Sequence, residues 1–151
     1  MHTERPPGAP DSAGSARGPG RRADPRQHVG RRGEQLAAEH LRRLGFSTLS
    51  RNVRTRHGEI DLISFDGHTL VFAEVKTRRV PPGASARRPD PQPLLWLRPS
   101  QRWRLRRLAV AWLSSEDHLR PSARAIRFDA IGVTVDAAGG LLGIDHVEGA
   151  F

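Results

Sequence analysis

GEIDLISFDGHTLVFAEVK, residues 58–76, decides how this chain is read. Two apolar runs of strand length flank Asp66-Gly67, a dipeptide suited to a tight hairpin because glycine accepts positive φ at no steric cost. The second strand is expected over Glu59–Phe65 and the third over Leu70–Lys76. Side chains alternate along a strand, so Asp61, Glu74 and Lys76 share one face. With Asp66 and Gly67 as the whole loop, Phe65 faces His68, Asp61 faces Phe72, and Glu74 lies diagonally from Asp61, about 7–8 Å away. A loop of four residues instead sets Asp61 directly opposite Glu74. The other face holds Ile60, Leu62, Val71, Ala73 and Val75, a candidate core. Three ionisable groups at the end of an apolar hairpin are costly unless something binds them.

Lys76 is the only lysine; the other 24 basic residues are arginine. Lysine differs from arginine in carrying a compact charge on a flexible stem, with a pKa that shifts readily on burial. Paired with two carboxylates, it suggests a site that holds a divalent metal beside a phosphodiester. Asp61 and Glu74 offer hard oxygen ligands to Mg²⁺ or Mn²⁺. The Val75 carbonyl adds another ligand, and Lys76 orients or deprotonates water or neutralises charge on phosphorus.

Outward from the hairpin, Ala37, Leu41 and Leu44 step by four and three and predict a helix over Gly30–Leu44, stopped at Gly45. Glu34 falls on that stripe rather than among the arginines, where it needs a partner or a metal. Phe46–Arg54 reads as a first strand and Arg56-His57-Gly58 as a turn. A second helix starts near Pro99 or Ser100, with Leu105, Leu108 and Trp112 inward and Gln101 one turn ahead of them. Strands over Ile126–Val135 and Leu141–Val147 follow, joined through Gly139-Gly140. The expected fold is therefore an α/β domain in the order α-β-β-β-α-β-β, with a mixed central sheet flanked by helices.

Composition sets the limits. The net charge is +9 and the isoelectric point about 11.6, which favours a polyanionic partner. Residues 1–28 are rich in Pro, Gly and Arg and predict a disordered basic tail, leaving 29–151 as one domain with a flexible loop at 77–98. No apolar run is long enough to span a membrane, no secretory signal is visible, and cysteine is absent. A reducing cytoplasm is the expected compartment. Arg78, Arg79, Arg87, Arg88 and Arg98 are candidate phosphate contacts in the loop. Trp103, off the inner stripe among Arg102, Arg104, Arg106 and Arg107, is a candidate platform for unpaired bases. Asp129 is expected to be structural, paired with Arg127 or with a neighbouring loop, rather than a ligand.

The segments GRRGEQLAAEHLRRLGF, RNVRTRHGEIDLI, LVFAEVKTR and RFD, in this order and spacing, resemble the YraN family over residues 29–151. That family is assigned to the PD-(D/E)xK nuclease superfamily and is similar to archaeal Holliday-junction resolvases. The resemblance implies a restriction-endonuclease-like core with a metal site from Glu34, Asp61, Glu74 and Lys76, and Gln101 as an accessory residue. It further implies a DNA endonuclease for branched or single-stranded substrates, working as a homodimer. The chain departs from the family in two places: it has no tyrosine, and Gln101 stands where the family usually has lysine. Two further readings fit the same residues, a non-catalytic nucleic-acid-binding protein and a scaffold for a DNA-processing partner.

Overall fold

A computed structural model describes residues 25–82, 98–115 and 120–150. The elements are α1 (Pro25–Arg43), β1 (Ser47–Thr55), β2 (Gly58–Phe65), β3 (Thr69–Arg79), α2 (Pro99–Ser114), β4 (Ala125–Val135) and β5 (Leu141–Val147). They confirm the expected order. One five-stranded sheet runs β1-β2-β3-β4-β5. Its pairs are antiparallel except β3–β4, which are parallel from Thr69↔Ala125 to Arg79↔Val135 and joined through α2.

Helices cover both faces of the sheet. On one, Ala37, Ala38 and Leu41 of α1 pack on Leu62, Val71, Ala73, Val75, Ile131 and Val133. On the other, Leu105, Leu108, Ala109 and Trp112 of α2 pack on Ile60, Ile63, Leu70 and Phe72. Ile60 thus belongs to the second core, not to the face expected for it. Burying both faces explains why β3 is almost continuously apolar from Leu70 to Val75.

Several boundaries differ from those expected. Helix α1 begins at Pro25, so residues 25–28 are helical rather than tail; proline suits the first helical turn because its fixed φ and missing N–H cost nothing there. The rest of the expected tail, and Arg87 and Arg88 of the expected loop, lie outside the described residues. Arg78 and Arg79 belong to β3, not to a loop. Leu44 is 50% exposed. The chain leaves α1 before it: Gly45 takes φ 94°, its N–H donates to the Arg42 carbonyl, and Phe46 N–H reaches back to the Leu41 carbonyl. This double bond pattern closes the helix and delivers Phe46 to the core in place of Leu44. None of the described helices is long and apolar enough to cross a membrane.

The β2–β3 turn takes the longer of the two loops the sequence allowed, not the one its Asp-Gly dipeptide signals. Phe65 pairs with Leu70, so the loop has four residues. The Asp66 carboxylate takes the N–H groups of His68 and Thr69 at 2.8 and 2.6 Å, closing the turn with a side chain. That register runs as far as Leu62↔Ala73, one residue short of Asp61 and Glu74.

Candidate metal centre

Regular β2–β3 pairing runs from Phe65↔Leu70 to Leu62↔Ala73. Below it the strands part: β2 stays with β1 through Gly58, while β3 follows β4 to Arg79. The fork opens a cavity of about 580 Å³ lined by Glu34, Glu59, Asp61, Glu74, Lys76 and Arg104, with Val75, Thr77 and Arg79 also contributing. Neighbouring β3 residues from opposite faces reach it because no β2 backbone lies between them. Glu34, Asp61, Glu74 and Lys76, singled out from sequence, therefore share one cavity.

Helix α1 brings Glu34 there by close contact. A Cβ added at Gly33 would lie 1.7 Å from the Thr77 hydroxyl oxygen, so only glycine lets α1 sit this near β3. Asp61 bonds where the ladder has opened, its Oδ2 accepting the Val75 N–H at 2.7 Å. Glu74 is 5% exposed. Its Oε1 takes Lys76 Nζ at 2.6 Å and faces Arg104 Nη2 at 3.6 Å. Two cations thus partner the buried carboxylate. Lys76 keeps more than a third of its side-chain surface exposed, so the pair opens onto the cavity rather than being sealed.

Asp61 is less well balanced. Burial, then the neighbouring charge of Glu74, push its pKa up to about 7; the Val75 N–H and Lys76 pull the other way, and Glu34 adds to the rise. A half-buried carboxylate beside two others is a group that favours a cation. Asp61 Oδ1 and Glu74 Oε2 have no bonded partner among the described residues. The donors are hard oxygens, the set that suits Mg²⁺ or Mn²⁺. No three acidic or histidine side chains among the described residues converge to ligand spacing, and Glu74 Oε1 is turned toward Lys76.

Other expected residues lie elsewhere. Gln101 lies in the first turn of α2, where its Oε1 accepts the Arg98 N–H at 3.0 Å; it caps the helix. Arg79 lines the cavity; Arg78, its neighbour on β3, is exposed and is not part of the lining. Arg102, Trp103 and Arg106 line a separate groove with Pro99, and Trp103 is 68% exposed. Two charged lining residues, Glu59 and Arg104, were not singled out for the site from sequence. Glu59 carried a signal, since it shares the period of two with Asp61. Arg104 carried little, being one of several α2 arginines. Asp129 is structural as expected: fully buried, it receives Arg127, His146 Nε2 and the Gly149 N–H.

Residues 33–133 match the family model described as "Uncharacterised protein family UPF0102". A UPF0102 protein of Acidothermus cellulolyticus is 41% identical over 136 residues, covering 85% of this chain and 97% of its own. One from Geobacter sulfurreducens is 40% identical, covering 82% and 88%. Another, from a Parafrankia strain, is 42% identical, covering 83% and 97%. On the strength of these matches along nearly the whole domain, the chain belongs to the UPF0102 family, the YraN family of the sequence resemblance.

Proposed function

We propose that the protein is a metal-dependent endonuclease that hydrolyses phosphodiester bonds in structured or branched DNA. One observation carries the reading: a helix and two strands bring Glu34, Asp61, Glu74 and Lys76 to one solvent-open cavity at the fork of the sheet. Mg²⁺ or Mn²⁺ would be held by Asp61, Glu74 and Glu34, and would supply Lewis-acid polarisation of the phosphoryl group. Once Glu74 turns from Lys76, the freed ammonium faces the phosphate, and together with Arg104 it offsets the negative charge that builds up on phosphoryl oxygens. Arg78 and Arg79 continue this basic surface along β3. Arg102, Trp103 and Arg106 supply phosphate contacts and a ring face for an unpaired base, without reading sequence. Cutting paired strands of a junction suits a homodimer, and the cytoplasm supplies both DNA and Mg²⁺.

A second reading has its own support. Gln101 is engaged as a helix cap and Lys76 is bonded to Glu74, an arrangement that suits a nucleic-acid-binding protein without turnover. Calorimetric titration with Mg²⁺ and Mn²⁺, on wild type and Asp61→Asn, tests the centre directly: binding should be present in the first and lost in the second. Labelled junction, flap and single-stranded DNA should then be nicked by wild type and left intact by Glu74→Ala. Salt-sensitive DNA binding without metal uptake or cleavage would establish the second reading instead.

A further inference from the structure

The cavity at the fork continues past Glu34. A second groove of about 580 Å³ is lined by Gly30, Arg31, Glu34, Asn52, Arg54 and Glu59. Three of these, Gly30, Glu34 and Glu59, also wall the first cavity. The two adjoin as one trench across that shared stretch, which carries the carboxylates Glu34 and Glu59: Arg31 and Arg54 line it on one side, and Lys76, Arg79 and Arg104 line it on the other, with Asp61 and Glu74.

We propose that the Arg31–Arg54 end is a binding subsite for the phosphodiester backbone of a nucleic-acid strand, one to a few phosphates from the reacting one. The inference rests on the nuclease reading of the adjacent cavity and assigns it a direction in which the strand runs.

Charge makes the case first. An acidic centre repels a polyanion, so a strand crossing it needs cations on both sides, and the trench has them on both sides. Arg54 is available, since its side chain is 83% exposed and its contact with Glu59 is a loose 3.5 Å. Such exposed pairs hold weakly and exchange readily for a phosphate. Arg31 is exposed, and no bond to it is formed among the described residues. Asn52 sits on the rim at φ 49°, a left-handed conformation that asparagine accepts better than most side chains. Its amide is a neutral donor of the kind found on DNA phosphates. Space makes the case second. Gly30 forms part of the shared wall, and a Cβ there would meet nothing within 4 Å. A backbone can therefore pass close to α1 at the join between the two cavities.

The test uses the full chain and a labelled 20-nucleotide single strand, with anisotropy read across a salt series in chelator and cleavage read separately with Mg²⁺. The double variant Arg31→Gln, Arg54→Gln should bind about tenfold or more weakly, and its slope of log affinity against log salt should fall by about one to two. Arg124→Gln, at the opposite end of the sheet beside the β2–β3 turn, should change neither. Gly30→Leu adds bulk to the trench without touching charge and improves helix propensity; it should weaken binding while the melting temperature holds or rises. Wild-type affinity and slope in both trench variants would overturn the subsite even if the enzyme cleaves. Equal loss in Arg124→Gln would overturn it as well, leaving only bulk charge. Loss confined to the trench variants, with no cleavage under any metal, would keep the subsite and sink the hydrolytic reading. A wild type that binds no DNA would overturn both.

Discussion

Asp129 and Asp61 are carboxylates of one sheet, and the fold treats them in opposite ways. Burial alone would raise Asp129, but hydrogen bonds from His146, Arg127 and the Gly149 N–H outweigh it and hold the carboxyl below its usual range. Asp61 receives one backbone N–H, faces Glu74 and Glu34, and is pushed up to about 7. The first centre is saturated: Arg127 binds it with two nitrogens, and His146 is itself bonded to His40 at 3.2 Å. The second has acceptors to spare and opens to solvent. A saturated buried carboxylate fastens elements together, here β4 to β5 and the turn that follows; an unsaturated one favours an incoming cation. Proximity of charged residues does not distinguish the two, whereas the balance of donors to acceptors does.

The strongest way to break the contrast is Asp129→Ala. It takes the carboxylate away from the buried His146 imidazole and leaves Arg127 with Glu148 alone, and the expected loss is about 3 kcal/mol in a denaturant titration. If stability barely moves, Asp129 is not the fastening described. Next comes pH. Protons compete with metal for carboxylates, so metal affinity should fall as pH drops through about 7, by about tenfold per pH unit for each proton displaced. Without metal the stability curves run in opposite senses. Asp61 takes its proton sooner folded than unfolded, so its contribution grows as pH falls from about 7 toward 3.8. Asp129 holds its charge longer folded than unfolded, so its contribution is full above 3.8 and is lost as pH falls through its depressed folded value. In Asp61→Asn the rise on acidification should vanish and the acid loss remain. An unchanged profile would show that Asp61 titrates normally.

Gly33→Val probes the frame of the open centre. The Thr77 contact leaves no room, so the helix must shift, at about 1–3 kcal/mol by melting, with metal affinity falling alongside. Gln101→Ala is the mildest change. Loss of the cap should cost about 1 kcal/mol and leave metal binding as in wild type. A large fall in metal affinity there would return Gln101 to the site.

The sequence showed more of the first contrast than of the second half of the site. Asp61, Glu74 and Lys76 were legible because a period of two and a turn signal leave few registers. Which register holds was not, since Asp66 closes a four-residue loop by side-chain bonds that the dipeptide Asp-Gly does not reveal. Glu34 was legible from its place on the stripe of α1. Gly33 was not, because its role depends on a strand more than forty residues away. Arg104 is one arginine among several on α2, and only the packing of Leu105 and Leu108 rotates it toward Glu74. The start of α1 at Pro25 was hidden by averaging it into a Pro- and Gly-rich stretch.

Asp61 has a double allegiance. Below Leu62 the β2 backbone no longer serves β3, and Oδ2 stands in for the missing carbonyl by accepting from Val75. The companion oxygen is left for whatever enters from outside. One atom of the carboxylate is masonry and the other is unbonded among the described residues, so shortening the side chain to alanine removes both together. Asparagine keeps an oxygen that can still take the Val75 N–H, and comparing the two substitutions separates the wall from the work done against it.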